Sequence, residues 1–153
     1  MANTPEHKPI PIFSGEFRHA LDEKNRITIP SCWRNGESAE FFIVPNPGKP
    51  CLTAMPSEVF LEAGKQIAAQ SGISPERHRT FIRQFYARAK TLSADKQGRM
   101  LLPEEFCKRA GLKNEAVLSG GRDRFDIWSP SGWAKEIESS ESTFKEVWRL
   151  AGL

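Results

Sequence analysis

The sequence predicts a mainly β fold with helices, of the α+β class, assembled from two half-units in one chain. Three observations predict it. The stretch Asp22-Glu23-Lys24-Asn25-Arg26-Ile27-Thr28-Ile29-Pro30 recurs 73 residues later as Asp95-Lys96-Gln97-Gly98-Arg99-Met100-Leu101-Leu102-Pro103. At that same offset apolar character persists: Trp33 falls on Phe106, Leu52 on Phe125, Ala54 on Ile127, Met55 on Trp128 and Phe60 on Trp133. Between and after the copies lie segments with helical rather than alternating periodicity. Four short strands cannot cover their own apolar face, so two such units are expected to pair into one small barrel.

Taken in order, residues 1–11 carry Pro5 and Pro9 and read as a flexible extension. The first half-unit is 12–56. Phe17 to Leu21 is its first strand, Asp22 to Asn25 a turn, and Arg26 to Ile29 the returning strand. Asp22 and Asp95 head their turns because a carboxylate accepts backbone donors there, and Asn25 and Gly98 answer one demand for positive φ. Pro30 and Pro103 close the strands, since proline donates nothing to a continuing ladder. Ser31 to Asn35 follows, then a hairpin of Phe41 to Val44 with Cys51 to Met55. Residues 57–90 are a helical linker. Its first helix starts at Pro56 or Ser57 and runs to about Ala69; its second is restarted by Ser74-Pro75-Glu76 and runs to about Lys90. The second half-unit, 91–130, repeats the plan with a short helix from Glu104 to Ala110 and a hairpin of Ala116 to Ser119 with Phe125 to Trp128. Met100-Leu101-Leu102 is compatible with strand or buried helix; the repeat decides for strand. Residues 131–153 are a C-terminal helical segment, begun by Ser129 or Ser131, interrupted at Ser139-Ser140 and Ser142, and ending in an apolar piece from Phe144 to Leu150.

At 153 residues, 39% hydrophobic and 27% charged, the chain has the balance of a soluble protein with one core. Three widely spaced cysteines, Cys32, Cys51 and Cys107, contain no C-x-x-C pair and predict neither a disulfide framework nor a zinc knuckle. No apolar run approaches membrane-spanning length and the N-terminus does not read as a signal peptide, so no membrane partner and a cytoplasmic location are expected. His7, His19 and His78 are scattered, and neither a phosphate-binding glycine loop nor a nucleophile with a base can be assembled. Glu104-Glu105 sits where acids suit a helix start. The expectation is no enzyme, no metal, no cofactor and no small-molecule substrate.

The placement of positive charge says more than its sum of +3. Arg18, His19, Lys24 and Arg26 crowd the first turn; Arg88, Lys90, Lys96 and Arg99 crowd the second; Arg122 and Arg124 lie in the late hairpin. The helix carrying Arg77, Arg79, Arg83 and Arg88 reads as a solvated face, a support near phosphates or a subunit contact. Arg26 and Arg99 occupy the repeated position. An arginine there either braces the aspartate of its own turn or offers its donor fork to phosphate or guanine, and the two uses are compatible.

The first repeated stretch resembles the D-x-K-G-R-x-x-x-P signature of the bacterial MraZ family, and Asp95 through Pro103 resembles that family's looser second copy. The family is related to the AbrB and SpoVT type of swapped-hairpin DNA-binding proteins. The resemblance implies a duplicated swapped-hairpin β-barrel and a transcriptional regulator, usually a repressor, that binds direct repeats in the promoter of the division and cell-wall gene cluster. It implies double-stranded promoter DNA and self as partners, the latter in a ring of eight or more copies, and a nucleoid-associated location. By motif position it points to Lys24 and Arg26 as DNA-contacting, then to Arg99 and Lys96 through the second copy and to Arg18 by adjacency. The sequence departs from the signature at Asn25, where the family prefers glycine, and in its longer N-terminal extension, which either reaches along DNA through His7 and Lys8 or hangs free. Two rival readings stay open: an antitoxin-like DNA-binding module holding a partner protein through the apolar C-terminal segment, and an assembly protein that does not bind DNA.

Overall fold

The computed structural model describes residues 12–34 and 39–153; the expected extension over 1–11, with His7 and Lys8, and Asn35 lie outside them. The elements are β1 (Glu16–Ala20), β2 (Arg26–Thr28), a 3-10 turn (Ser31–Trp33), β3 (Glu40–Pro45), β4 (Cys51–Met55), α1 (Ser57–Ala69), α2 (Pro75–Arg88), β5 (Lys90–Ser93), β6 (Arg99–Leu101), α3 (Glu104–Ala110), β7 (Glu115–Gly120), β8 (Phe125–Trp128) and α4 (Pro130–Leu150). The class is mixed α+β. The strands form a six-stranded sheet, ordered β1-β7-β8-β4-β3-β5, and a separate two-stranded ribbon, β2-β6.

Local turns close as their residues dictate, but the strands beside them pair elsewhere. The expected return of Arg26 to Ile29 onto Phe17 to Leu21 does not occur. β1 pairs antiparallel with β7, with Phe17 opposite Leu118, and β2 pairs with β6, with Ile27 opposite Met100. β5 likewise leaves β6 to pair with β3. The two hairpins, β3-β4 and β7-β8, do form, and they join through β4-β8. At that seam the Thr53 hydroxyl donates to the Asp126 carboxylate at 2.8 Å.

Period-2 alternation sorts the large sheet into two faces. One carries Phe41, Ile43, Leu52, Ala54, Ala116, Leu118, Phe125 and Ile127, buried with Ile27, Ile29, Met100 and Leu102 from the ribbon strands and their ends and with Phe106 and Ala110 of α3. The ribbon is thus the lid of the main core. Trp33, Phe13, Phe41 and Phe125 meet there at centroid distances of 5.0–6.1 Å, and the Trp33 indole N–H donates to the Ser14 carbonyl. The other face is covered by helices. Val44 and Met55 pack with Phe60 of α1 and with Phe85 and Tyr86 of α2; Cys51, Val117 and Trp128 pack with Trp133 of α4.

The caps explain the helix starts. The Ser74 hydroxyl accepts from the Arg77 N–H with Pro75 in the first turn, and the Ser129 hydroxyl accepts from the Gly132 N–H with Pro130 in the first turn. Two expected boundaries differ. α2 ends at Arg88, because Ala89 is extended and Lys90 enters the ladder opposite Ile43. α4 is one helix of 21 residues, uninterrupted at its serines. The hydroxyls of Ser139 and Ser140 both donate back to the Glu136 carbonyl, so their polar groups are satisfied within the helix and have no need to break it.

Candidate nucleic-acid interface

The ribbon positions the two repeated turns. In the first, the Asp22 carboxylate accepts the backbone N–H of Lys24 and of Arg26, each at 2.9 Å, and the Arg26 Nε–H at 2.6 Å. In the second, Asp95 accepts the N–H of Gln97 at 3.0 Å, the N–H of Arg99 at 2.8 Å and the Arg99 Nε–H at 2.9 Å. Each turn is closed by the carbonyl of its aspartate, which accepts from Asn25 N–H or Gly98 N–H. Asn25 sits at φ 60° and Gly98 at φ 82°, the left-handed region that asparagine and glycine tolerate. In both aspartates the carboxyl pKa is held below its ordinary 3.8, chiefly by the arginine backbone N–H, with the guanidinium and the other turn N–H adding to it against a desolvation effect.

This bracing orients the arginines. With Nε tied to the aspartate, the terminal nitrogens of Arg26 and Arg99 make no ion pair among the described residues. In the ribbon register Arg26 lies opposite Leu101 and Thr28 opposite Arg99. Ile27 and Met100 face the core, so these four side chains share the outward face. Two residues along and one strand across places the Arg26 and Arg99 Cα atoms about 8 Å apart. Lys24 and Lys96 stand exposed in turns at opposite ends of the ribbon, and neither has an ion-pair partner among the described residues. Pro30 and Pro103 end the two strands and precede the 3-10 turn and α3.

Arg18 is not brought to this face. It lies opposite Val117, on the side of the large sheet that packs against α4, while its neighbour Phe17 packs on the main core. Nor do Arg122 and Arg124 reach it by pairing: they belong to the β7-β8 connection, where Arg124 is ion-paired to Asp123.

One residue enters that sequence reasoning missed. The Arg34 guanidinium lies directly against the second turn, so close that a Cβ on Gly98 would stand 2.7 Å from Arg34 Cζ. Its Nε is buried and has no hydrogen-bond partner among the described residues. No local motif marks Arg34, since its turn lies 64 positions away in the chain. Gly98 therefore serves twice, by its positive φ and by leaving room for a guanidinium. Among the described residues no group of histidine, cysteine and carboxylate side chains is suited to hold a metal, and no helix is long and apolar enough to cross a membrane.

A family model described as "MraZ protein, putative antitoxin-like" matches residues 85–152, from the end of α2 through α4. Relatives named "Transcriptional regulator MraZ" cover almost the whole chain. The protein of Clostridium acetobutylicum is 36% identical over 132 residues, covering 84% of this chain and 89% of the relative. That of Symbiobacterium thermophilum is 35% identical, covering 87% and 95%. That of Thermomicrobium roseum is 34% identical, covering 83% and 88%. Identity at this level over nearly full length on both sides, on a chain that carries both signatures, places it: the chain belongs to the MraZ family.

Proposed function

We propose that the chain is a sequence-specific, DNA-binding transcriptional regulator rather than an enzyme. It acts as a repressor on direct repeats in the promoter of the division and cell-wall gene cluster. The observation that carries this reading is the pair of aspartate-braced arginines on one face of a two-stranded ribbon. The major groove is about 12 Å wide and admits a β-ribbon, and an arginine fork matches guanine O6 and N7. Arg26 and Arg99 are the base-directed pair; Lys24, Lys96 and the neighbouring Arg34 serve phosphates. Lys24 has Gln97 as its counterpart in the second turn, so the first turn makes the stronger contact. The names of the relatives support the regulatory role.

The architecture of this reading is a duplicated swapped-hairpin barrel displayed by a ring-shaped homo-oligomer, with the turns of successive copies meeting successive repeats. The strand order supports the duplication, because it reads the same when residues 12–56 and 91–130 are exchanged.

Footprinting and gel-shift titration on the DNA upstream of the chain's own gene test the reading. Arg26→Ala is expected to cost about 1–3 kcal/mol in operator binding and to relax base choice. Lys24→Ala is expected to lower the salt-dependence slope by about one unit. Full-strength, fully selective operator binding by the Arg26 variant sinks the assignment. Absence of any salt-sensitive affinity for that DNA favours the non-DNA-binding assembly protein instead.

A further inference from the structure

Two surfaces on the helical side are apolar and left uncovered by the described residues, and they are complementary. The first is the far half of α4. That helix is anchored at its start, where Trp133 packs on Trp128 and Glu136 pairs with Lys49 at 2.9 Å. From Glu141 to Leu150 every residue is exposed, a length of about 15 Å at the helical rise. Phe144, Val147 and Trp148 make an i, i+3, i+4 stripe there, 60%, 54% and 49% exposed, with the Phe144 and Trp148 rings 5.8 Å apart. The stripe continues the one that Trp133 and Ile137 begin. An aromatic stripe left in water is expected to have a partner.

The second surface is a groove of about 150 Å³ between α2 and the β3-β4 connection. It is walled by Val44, Pro45, Pro47, Phe81 and Phe85, with Arg88 at its rim. The exposed tail of α4 does not fill it in its own chain. Charge fits the two together. α2 has four arginines against one glutamate, and residues 136–146 of α4 have four glutamates against one lysine. Like surfaces would repel; these attract.

We propose that the far half of α4 docks into the α2 groove of a second copy of this chain, with Phe144 and Trp148 in the groove and the α4 glutamates beside the α2 arginines. The inference rests on the proposed self-assembly and names its contact. Tail and groove are different surfaces, so each contact leaves a free tail and a free groove. Repetition then closes a ring when the rotation allows.

Native mass measurement and sedimentation of the full chain test it. Phe144→Glu with Trp148→Glu removes the tail; Phe81→Glu with Arg88→Glu removes the groove. Each alone is expected to be monomeric where the parent assembles, and their equimolar mixture to give a discrete dimer through the one intact tail and groove. Because a groove variant risks its own packing, a charge pair is run beside it. Arg83→Glu with Arg88→Glu alters only exposed groups and is expected to weaken assembly at least tenfold; adding Glu138→Arg with Glu141→Arg is expected to restore it. Parent-like assembly by both the groove variant and the Arg83, Arg88 variant, or a mixture that stays monomeric with no charge-swap rescue, overturns the docking while leaving self-assembly standing. A parent that is monomeric at every concentration overturns both.

Discussion

Gly98→Ala is the sharpest probe of the second turn. Gly98 is buried at φ 82°, and its missing Cβ is the space against which the Arg34 guanidinium lies, 2.7 Å from Cζ and 2.8 Å from Nε. An L-residue in the left-handed region costs about 1–2 kcal/mol. The guanidinium is the far end of a flexible side chain and swings aside, so the clash adds displacement of Arg34 more than lost stability. The expected loss is therefore about 1–2 kcal/mol, a fall of about 0.5–1 M in urea midpoint at a slope of about 2 kcal/mol/M. Asn25→Gly is the control: asparagine already tolerates its φ of 60°, and the change is expected to stay within about 0.5 kcal/mol. Operator titration is run on the same variants, and Gly98→Ala is expected to bind more weakly beyond its folding loss, because Arg34 has left the turn. Gly98→Ala with an unchanged urea midpoint and unchanged operator affinity would refute the account of that turn.

Three further outcomes are expected. Cys32 is exposed whereas Cys51 and Cys107 are buried, and burial pushes the Cys51 thiol up to about 12; a thiol reagent should label one cysteine fast in the folded chain and all three in denaturant. Asp22 and Asp95 have folded pKa values below 3.8, so the stability they contribute is full above that value and is lost as pH falls through the lower folded values. Asp22→Asn with Asp95→Asn should accordingly flatten the acid limb of a pH–stability curve. Asp126 behaves with the opposite sign, since burial raises its pKa against the Thr53 hydrogen bond. Asp126→Asn keeps an acceptor for Thr53 and should gain stability over the parent as pH rises from acid to neutral, a gain read by urea melts at both ends.

Local chemistry was legible in the residues alone. Asp22, Asn25, Asp95 and Gly98 announce their turns because the demands of a tight turn, a short-range acceptor and a positive φ, are met by a handful of side chains. Ser74-Pro75 announces a helix start for the same reason, and Ser129 is one of the two serines that could begin the last helix. The serines of α4 misled, because a hydroxyl that favours turns elsewhere is equally content bonding back to the carbonyl of Glu136.

Strand partnership was decided only in three dimensions. Period-2 alternation tells β1 which face to bury, but every strand with the same alternation is a locally acceptable neighbour. The choice of β7 over β2 is made by closing one aromatic core around Phe13, Trp33 and Phe125. From that choice follow the features of the site. Arg26 and Arg99 share the outer face of one ribbon because β2 pairs with β6, Arg18 is turned away because β1 pairs with β7, and Arg34 is folded over Gly98. Residues that shape their own turn are written in sequence; residues that meet across the core acquire their neighbours only when the core closes.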